Sequence, residues 1–148
     1  MTRRDLLRQT VTGLAMSPVF LAACKHSDLT APLTPEPSQD KIKIDIHSQN
    51  YKVLENIGGS AYVVVQSRRL SMIVTRLDDL RFVSVNSTCT HAACDVDLYD
   101  AITMHMRCDC HGAAFSPEGK VLGGPAPAPL QAYPTTFDGE SIITIDLT

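Results

Sequence analysis

The chain has 148 residues, 44% hydrophobic and 20% charged, with 9 Pro, 8 Gly and no Trp. That is material for one domain, since domains cluster at about 100–150 residues, and it excludes a multidomain enzyme, global disorder and a polytopic membrane protein. A formal net charge of -3 argues against a phosphate-binding surface, so no nucleic-acid partner is expected.

The first 24 residues run MTRRDLLRQTVTGLAMSPVFLAAC. Arg3 and Arg4 precede an apolar stretch from Val11 to Ala23, broken by Ser17 and Pro18, in the basic, apolar, small-residue order of an export signal. About 13 apolar residues with a proline are short for a bilayer span, which takes about 20. The arginine pair resembles a twin-arginine signal, and Leu21-Ala22-Ala23-Cys24 resembles a bacterial lipobox. These resemblances imply a signal peptide over 1–23 and a lipid on the Cys24 sulfur. They place the mature chain outside the cytoplasm, on the periplasmic side, held at the membrane by its acyl chains. An uncleaved anchor and a small-residue cleavage site that merely ends at a cysteine are the plain alternatives. Residues 24–40, with Pro32, Pro35 and Pro37, have the composition of a semi-extended tether. That leaves 41–148 as the folded domain.

Within it the pattern is period two. Ile42, Ile44 and Ile46 alternate with Lys41, Lys43 and Asp45, which predicts a half-buried strand. Apolar stretches follow at Tyr62–Val65, Met72–Val74 and Phe82–Val85, with Asp78-Asp79 suited to a hairpin between the last two. Arg68-Arg69 reads as a solvated turn rather than a docking patch. Val96–Tyr99 and Ile102–Arg107 predict a hairpin, with Ile102, Met104 and Met106 on one core face and Thr103, His105 and Arg107 on the other. His105 between two methionines suggests copper, but a strand with a methionine face is the simpler reading. Asp138-Gly139 marks a closing hairpin before Ile142–Leu147. His26 and His47 stand alone in the sequence and are expected to face solvent. The fold class is all-β and antiparallel.

Five cysteines are an odd number, and the partition is Cys24 in the leader and four in two short loops. The loops are Cys89-Thr90-His91-Ala92-Ala93-Cys94 and Cys108-Asp109-Cys110-His111-Gly112. Each offers a cysteine–histidine pair at metal-ligand spacing plus one further cysteine. Two thiolates and two imidazoles suit tetrahedral zinc, which leaves two cysteines without a role. They also suit an iron–sulfur cluster.

Together the two motifs resemble the Rieske [2Fe-2S] proteins, over about 41–148 and most specifically over 89–130. The resemblance implies a Rieske-type antiparallel β-sandwich or barrel with a small cluster-binding subdomain of two loops, about 86–130. It implies Cys89 and Cys108 on one iron, His91 and His111 on the other, and a Cys94–Cys110 disulfide. Gly124-Pro125-Ala126-Pro127, within 123–130, looks like the proline-rich loop that covers the cluster in that family. A disulfide fits an oxidising compartment, and a cluster assembled before export fits twin arginines. The chain departs from quinol-oxidising members at two positions: Ala113 and Phe115 stand where those carry hydroxyls that donate to sulfur. Loss of such donors disfavours the reduced form, so a lower potential is expected.

The function implied is one-electron transfer by a membrane-tethered extracytoplasmic protein, with a cytochrome, a quinol-oxidising enzyme or a molybdenum enzyme as redox partner. The alternatives are a Rieske subunit of a quinol–cytochrome c oxidoreductase and a small subunit of a molybdenum oxidoreductase such as arsenite oxidase. A zinc-binding or non-redox module is the reading from another class. A self-contained oxygenase needs a further His/carboxylate iron site, and no His follows residue 130. Asp95, Asp97, Asp100 and Asp109 add negative charge near the two loops.

Overall fold

The computed structural model describes residues 40–148. The expected signal peptide, Cys24 and the tether as far as residue 39 lie outside the described residues. Among the described residues ten strands form three antiparallel sheets. They are β1 (Lys41–Asp45), β2 (Ser60–Val65), β3 (Leu70–Arg76), β4 (Phe82–Asn86), β5 (Met106–Cys108), β6 (Ala113–Phe115), β7 (Val121–Gly123), β8 (Ala132–Tyr133), β9 (Thr135–Phe137) and β10 (Ile142–Asp146). The sheet orders are β1-β10-β9, β2-β3-β4-β8 and β5-β6-β7. This is the all-β antiparallel architecture expected. No described helix is long and apolar enough to cross a membrane.

The period-two strand at the start is β1, and it finds its partner at the other end of the domain. Ile42 lies opposite Ile145 and Ile44 opposite Ile143. The Asp-Gly signal holds as well. The Asp138 carboxylate accepts from the amides of Glu140, Ser141 and Ile142 at 2.8–3.0 Å, with Gly139 at φ 89°. These amides, that of Glu140 foremost, hold the Asp138 carboxyl below its usual range. The β3–β4 hairpin also forms, and Asp78 closes its turn by accepting from the amides of Leu80 and Arg81.

Two cores result. One packs Ile44, Leu54, Met72, Val74, Phe82, Ile143 and Ile145 from the β1-β10-β9 and β2-β3-β4-β8 sheets and the short turn before β2. The other packs Ile73, Val85, Cys89, Val96, Met106, Cys108, Ala113, Phe115 and Leu130 beneath the cysteine loops. Strand β3 serves both, sending Met72 and Val74 to the first and Ile73 to the second. Each such side chain adds about 1.5–3 kcal/mol by leaving water.

The strand expected from Ile102 to Arg107 does not form as such. Residues 101–104 are a turn, Ile102 is 92% exposed and Met104 69%, and only Met106 of the three is buried. The cause is Asp100. Its carboxylate accepts from the Ile102 amide at 2.8 Å and the Thr103 hydroxyl at 3.0 Å, and its carbonyl accepts from the Met104 amide at 2.8 Å. A side chain that satisfies the local backbone in this way competes with the strand ladder. Met104 is left at φ 59°. The hairpin itself survives as separate pairs, Asp97 amide to Arg107 carbonyl and Asp100 opposite His105.

Candidate metal centre

Strand β4 ends at Asn86, whose side chain accepts from the Thr88 amide at 2.7 Å and turns the chain into the first loop. Within that loop the Cys89 amide donates to the Cys94 carbonyl at 2.8 Å and the Ala93 amide to the Cys89 carbonyl at 3.0 Å. The second loop joins β5 to β6, and the Gly112 amide donates to the Cys108 carbonyl at 2.9 Å. Each loop therefore folds back onto the carbonyl of its own first cysteine, from a residue four positions on. Gly112 does so at φ 75°, which glycine adopts without strain.

This brings the six motif residues together. Cys89 and Cys108 are 3% and 1% exposed and carry free thiols. His91 and His111 are exposed, with ring centroids 4.5 Å apart and planes at 84°. Cys94 and Cys110 form a disulfide, with a Cα separation of 6.5 Å. The donors are thus layered, two sulfurs inside and two imidazoles at the solvent. Burial, and then the neighbouring Cys89 thiol, pushes the Cys108 thiol up. Two thiolates at such depth need a cation between them, so the donor chemistry suits an iron centre. The Cys108 sulfur also lies within 4.8 Å of both disulfide sulfurs. Those two are consumed by their own bond, so that trio is not a metal site in itself.

The proline-rich loop is tied to the first cysteine loop. The Thr90 hydroxyl donates to the Ala128 carbonyl at 2.6 Å, and Ala126 packs on the core below while Pro125 and Pro127 stay exposed. Gly124 sits at φ 84°, and a Cβ there would lie 2.7 Å from the Ala113 Cα and the Gly112 carbonyl oxygen. Gly124→Ala is accordingly expected to cost about 1–3 kcal/mol. Faster loss of cluster absorbance on warming, from a chain whose far-UV signal before warming is unchanged, is the measurement that checks it.

Ala113 lies directly opposite Cys108 across the β5–β6 ladder, and Phe115 lies opposite Met106. Both are fully buried and neither side chain has a donor. Sequence reasoning missed a brace from strand β2. The Tyr62 hydroxyl donates to the Val96 carbonyl at 2.7 Å, and the Tyr99 amide donates to Ser60 Oγ at 3.3 Å. Burial, then Asp97 and Asp95, raises the Tyr62 pKa and keeps the phenol a donor. No local signal marks contacts 34 and 39 residues apart in sequence.

The remaining residues fall to plainer roles. His105 Nδ1 sits 3.0 Å from the Thr103 carbonyl in the turn. Arg68 pairs with Asp40, and Arg69 takes a left-handed turn position at φ 50°. His47 faces solvent as expected, with Nδ1 2.7 Å from the Glu55 carboxylate. Asp95, Asp97 and Asp100 are exposed, and Asp109 lies 3.1 Å from Arg107.

The model of the Rieske [2Fe-2S] domain matches residues 38–134. The cytochrome b6-f complex iron-sulfur subunit of Chlorobaculum thiosulfatiphilum is 40% identical over 60 residues, covering 40% of this chain and 33% of that protein. Subunit 2 of the same name from Synechocystis is 33% identical over 87 residues, covering 58% and 43%. The matched stretch thus spans less than half the length of these relatives. Among solved structures, the plasma membrane Rieske protein PetC3 from Synechocystis superposes with a TM-score of 0.56 at 28% identity, over 70% of this chain and 97% of that one. The ferredoxin of carbazole 1,9a-dioxygenase from Nocardioides aromaticivorans shares the fold, with a TM-score of 0.53 at 21% identity, over 65% and 93%. With two buried thiols set under two solvent-facing imidazoles, and the family model spanning both loops, the chain belongs to the Rieske [2Fe-2S] family and its cofactor is a [2Fe-2S] cluster.

Proposed function

We propose that this chain is an independent one-electron carrier, with Cys89 and Cys108 holding one iron of the cluster and His91 and His111 the other. The observation that carries this reading is the layering of the donors, free thiols buried and imidazole rings exposed side by side at 4.5 Å. When bound, the cluster supplies a single reversible electron at a potential raised by its neutral ligands. The protein's own part is to seat it. The buried cysteines exclude water from the sulfur side, and the brace from Tyr62 fixes the loop above the core. The imidazoles face the partner, and each keeps one ring nitrogen free to hold or release a proton, which ties electron gain to proton gain. The partner is a second protein redox centre, a cytochrome or a quinol-oxidising or molybdenum enzyme. The leader supports export through the twin-arginine route and lipid attachment at Cys24, outside the cytoplasmic membrane.

A second reading is favoured by the relatives, which are iron-sulfur subunits of cytochrome b6-f complexes. In that case the chain serves within a quinol-oxidising assembly. One experiment separates them, an EPR-monitored redox titration of the full chain at several pH values. A rhombic reduced-state signal with a moderate potential that falls as pH rises supports the independent carrier. A potential near the upper limit of about +300 mV supports the assembly subunit. Bound zinc without sulfide overturns both.

A further inference from the structure

Four cysteines meet at one point of the fold, and only one bond among them is fixed. The buried free thiol of Cys108 stands within 4.8 Å of both sulfurs of the Cys94–Cys110 bridge. Thiol–disulfide exchange requires a sulfur nucleophile against a disulfide sulfur and no external oxidant. We propose that Cys108 is a disulfide-exchange site held in check by the cluster, and that loss of the cluster lets the bridge migrate from Cys94–Cys110 to Cys94–Cys108. This rests on the reading of Cys108 as an iron ligand, because a sulfur committed to iron is not free to attack.

The step balances without a co-reactant. The Cys108 sulfur bonds to Cys94 Sγ, and the Cys94–Cys110 bond breaks with its electron pair passing to Cys110 Sγ. Cys110 takes up the proton that Cys108 gives up, so one disulfide is lost, one is gained and the free-thiol count is unchanged.

Attack at Cys94 is favoured over attack at Cys110 for two reasons. A bridge from Cys108 to Cys110 would close over a single intervening residue, whereas Cys94 and Cys108 are 14 positions apart. That is close to the separation of 16 in the existing bridge, so loop closure hardly distinguishes the two. Cys110 is exposed and Cys94 only half-exposed, so water receives the departing sulfur better at Cys110. Migration removes Cys108 as a ligand. A cluster must therefore be in place before the bridge is oxidised, and a chain that loses it later cannot simply be refilled.

The test uses the full chain carrying its cluster, with iron and acid-labile sulfide measured first. The cluster is stripped with a chelator under argon, and the protein is held for about a day, since uncatalysed rearrangement takes minutes to hours. Thiols are then blocked with iodoacetamide and bridges mapped by peptide mass spectrometry. The expected result is Cys94–Cys110 alone before stripping. After stripping, Cys94–Cys108 replaces it as the main bridge, with alkyl groups on Cys110 and Cys89. Refilling with iron and sulfide then succeeds only after a thiol reductant. Cys108→Ser, treated identically, keeps Cys94–Cys110. A stripped wild-type chain that keeps Cys94–Cys110, whether Cys108 is alkylated or bridged to Cys89, overturns the proposal. A starting chain with no iron and sulfide instead sinks the cluster assignment, which the first measurement reports separately.

Discussion

Cys108→Ser is expected to take iron and acid-labile sulfide from about two each per chain to near zero, while the chain remains folded. Serine is close to cysteine in shape, and Cys108 is 1% exposed against Val96, Met106 and Phe115. A buried hydroxyl without a partner costs about 1–3 kcal/mol. That is a fraction of the stability of a typical domain of this size, about 5–15 kcal/mol. His91→Ala and His111→Ala should also lose the cluster, although both side chains are exposed and neither supports a core. Cys110→Ser is the contrast. It removes the bridge, worth about 3 kcal/mol for a loop of this length, but no proposed ligand, so the cluster should assemble and then decay faster. Metal and sulfide analysis beside far-UV circular dichroism distinguishes the two outcomes. A Cys108→Ser chain that retains both irons would refute the ligand assignment.

Ala113→Ser and Phe115→Tyr are expected to raise the midpoint potential, each by roughly 40–90 mV. This corresponds to about 1–2 kcal/mol per hydrogen bond to sulfur, at 59 mV per factor of ten for one electron. The sign follows from charge. The reduced cluster is the more negative form, so a donor aimed at its sulfurs or at a ligating cysteine stabilises the reduced state. Ala113 is the cross-strand partner of Cys108, and both substituted positions are fully buried. A hydroxyl introduced there has no water to satisfy it and every incentive to find sulfur. Redox titration of the two single variants and the double variant checks this. A fall in potential, or no rise in the double variant, would show that this strand does not address the cluster.

The two cysteine loops were legible because their chemistry is local. A cysteine and a histidine two or three residues apart state their purpose without knowledge of the fold. The Ile42/Ile44/Ile46 alternation and the Asp138-Gly139 turn were legible for the same reason. What failed was the segment from Ile102 to Arg107, where alternation suggested a strand. Asp100 turned the backbone instead, leaving Ile102 in water. Hydrophobic period carries no information about a side chain that captures its own backbone amides. Strands β6 and β7 are three residues each, too short for any period to show. The pairing of β1 with β10 and the brace from Tyr62 to Val96 are properties of the assembled sheets. Nothing near either residue in sequence announces them.

Strand β3 bears on how the molecule opens. Because consecutive residues of one strand, Met72, Ile73 and Val74, are committed to different cores, the redox tip and the base share a wall rather than a hinge. Fraying can begin at the exposed turns, yet neither half can melt without baring one face of β3, and that couples the two into a single cooperative unit. Ligand binding to the native state alone deepens the free-energy well of everything that opens with it. Occupancy at the two loops is therefore felt as slower amide exchange at Met72 and Val74, on the face of β3 turned away from the cysteines.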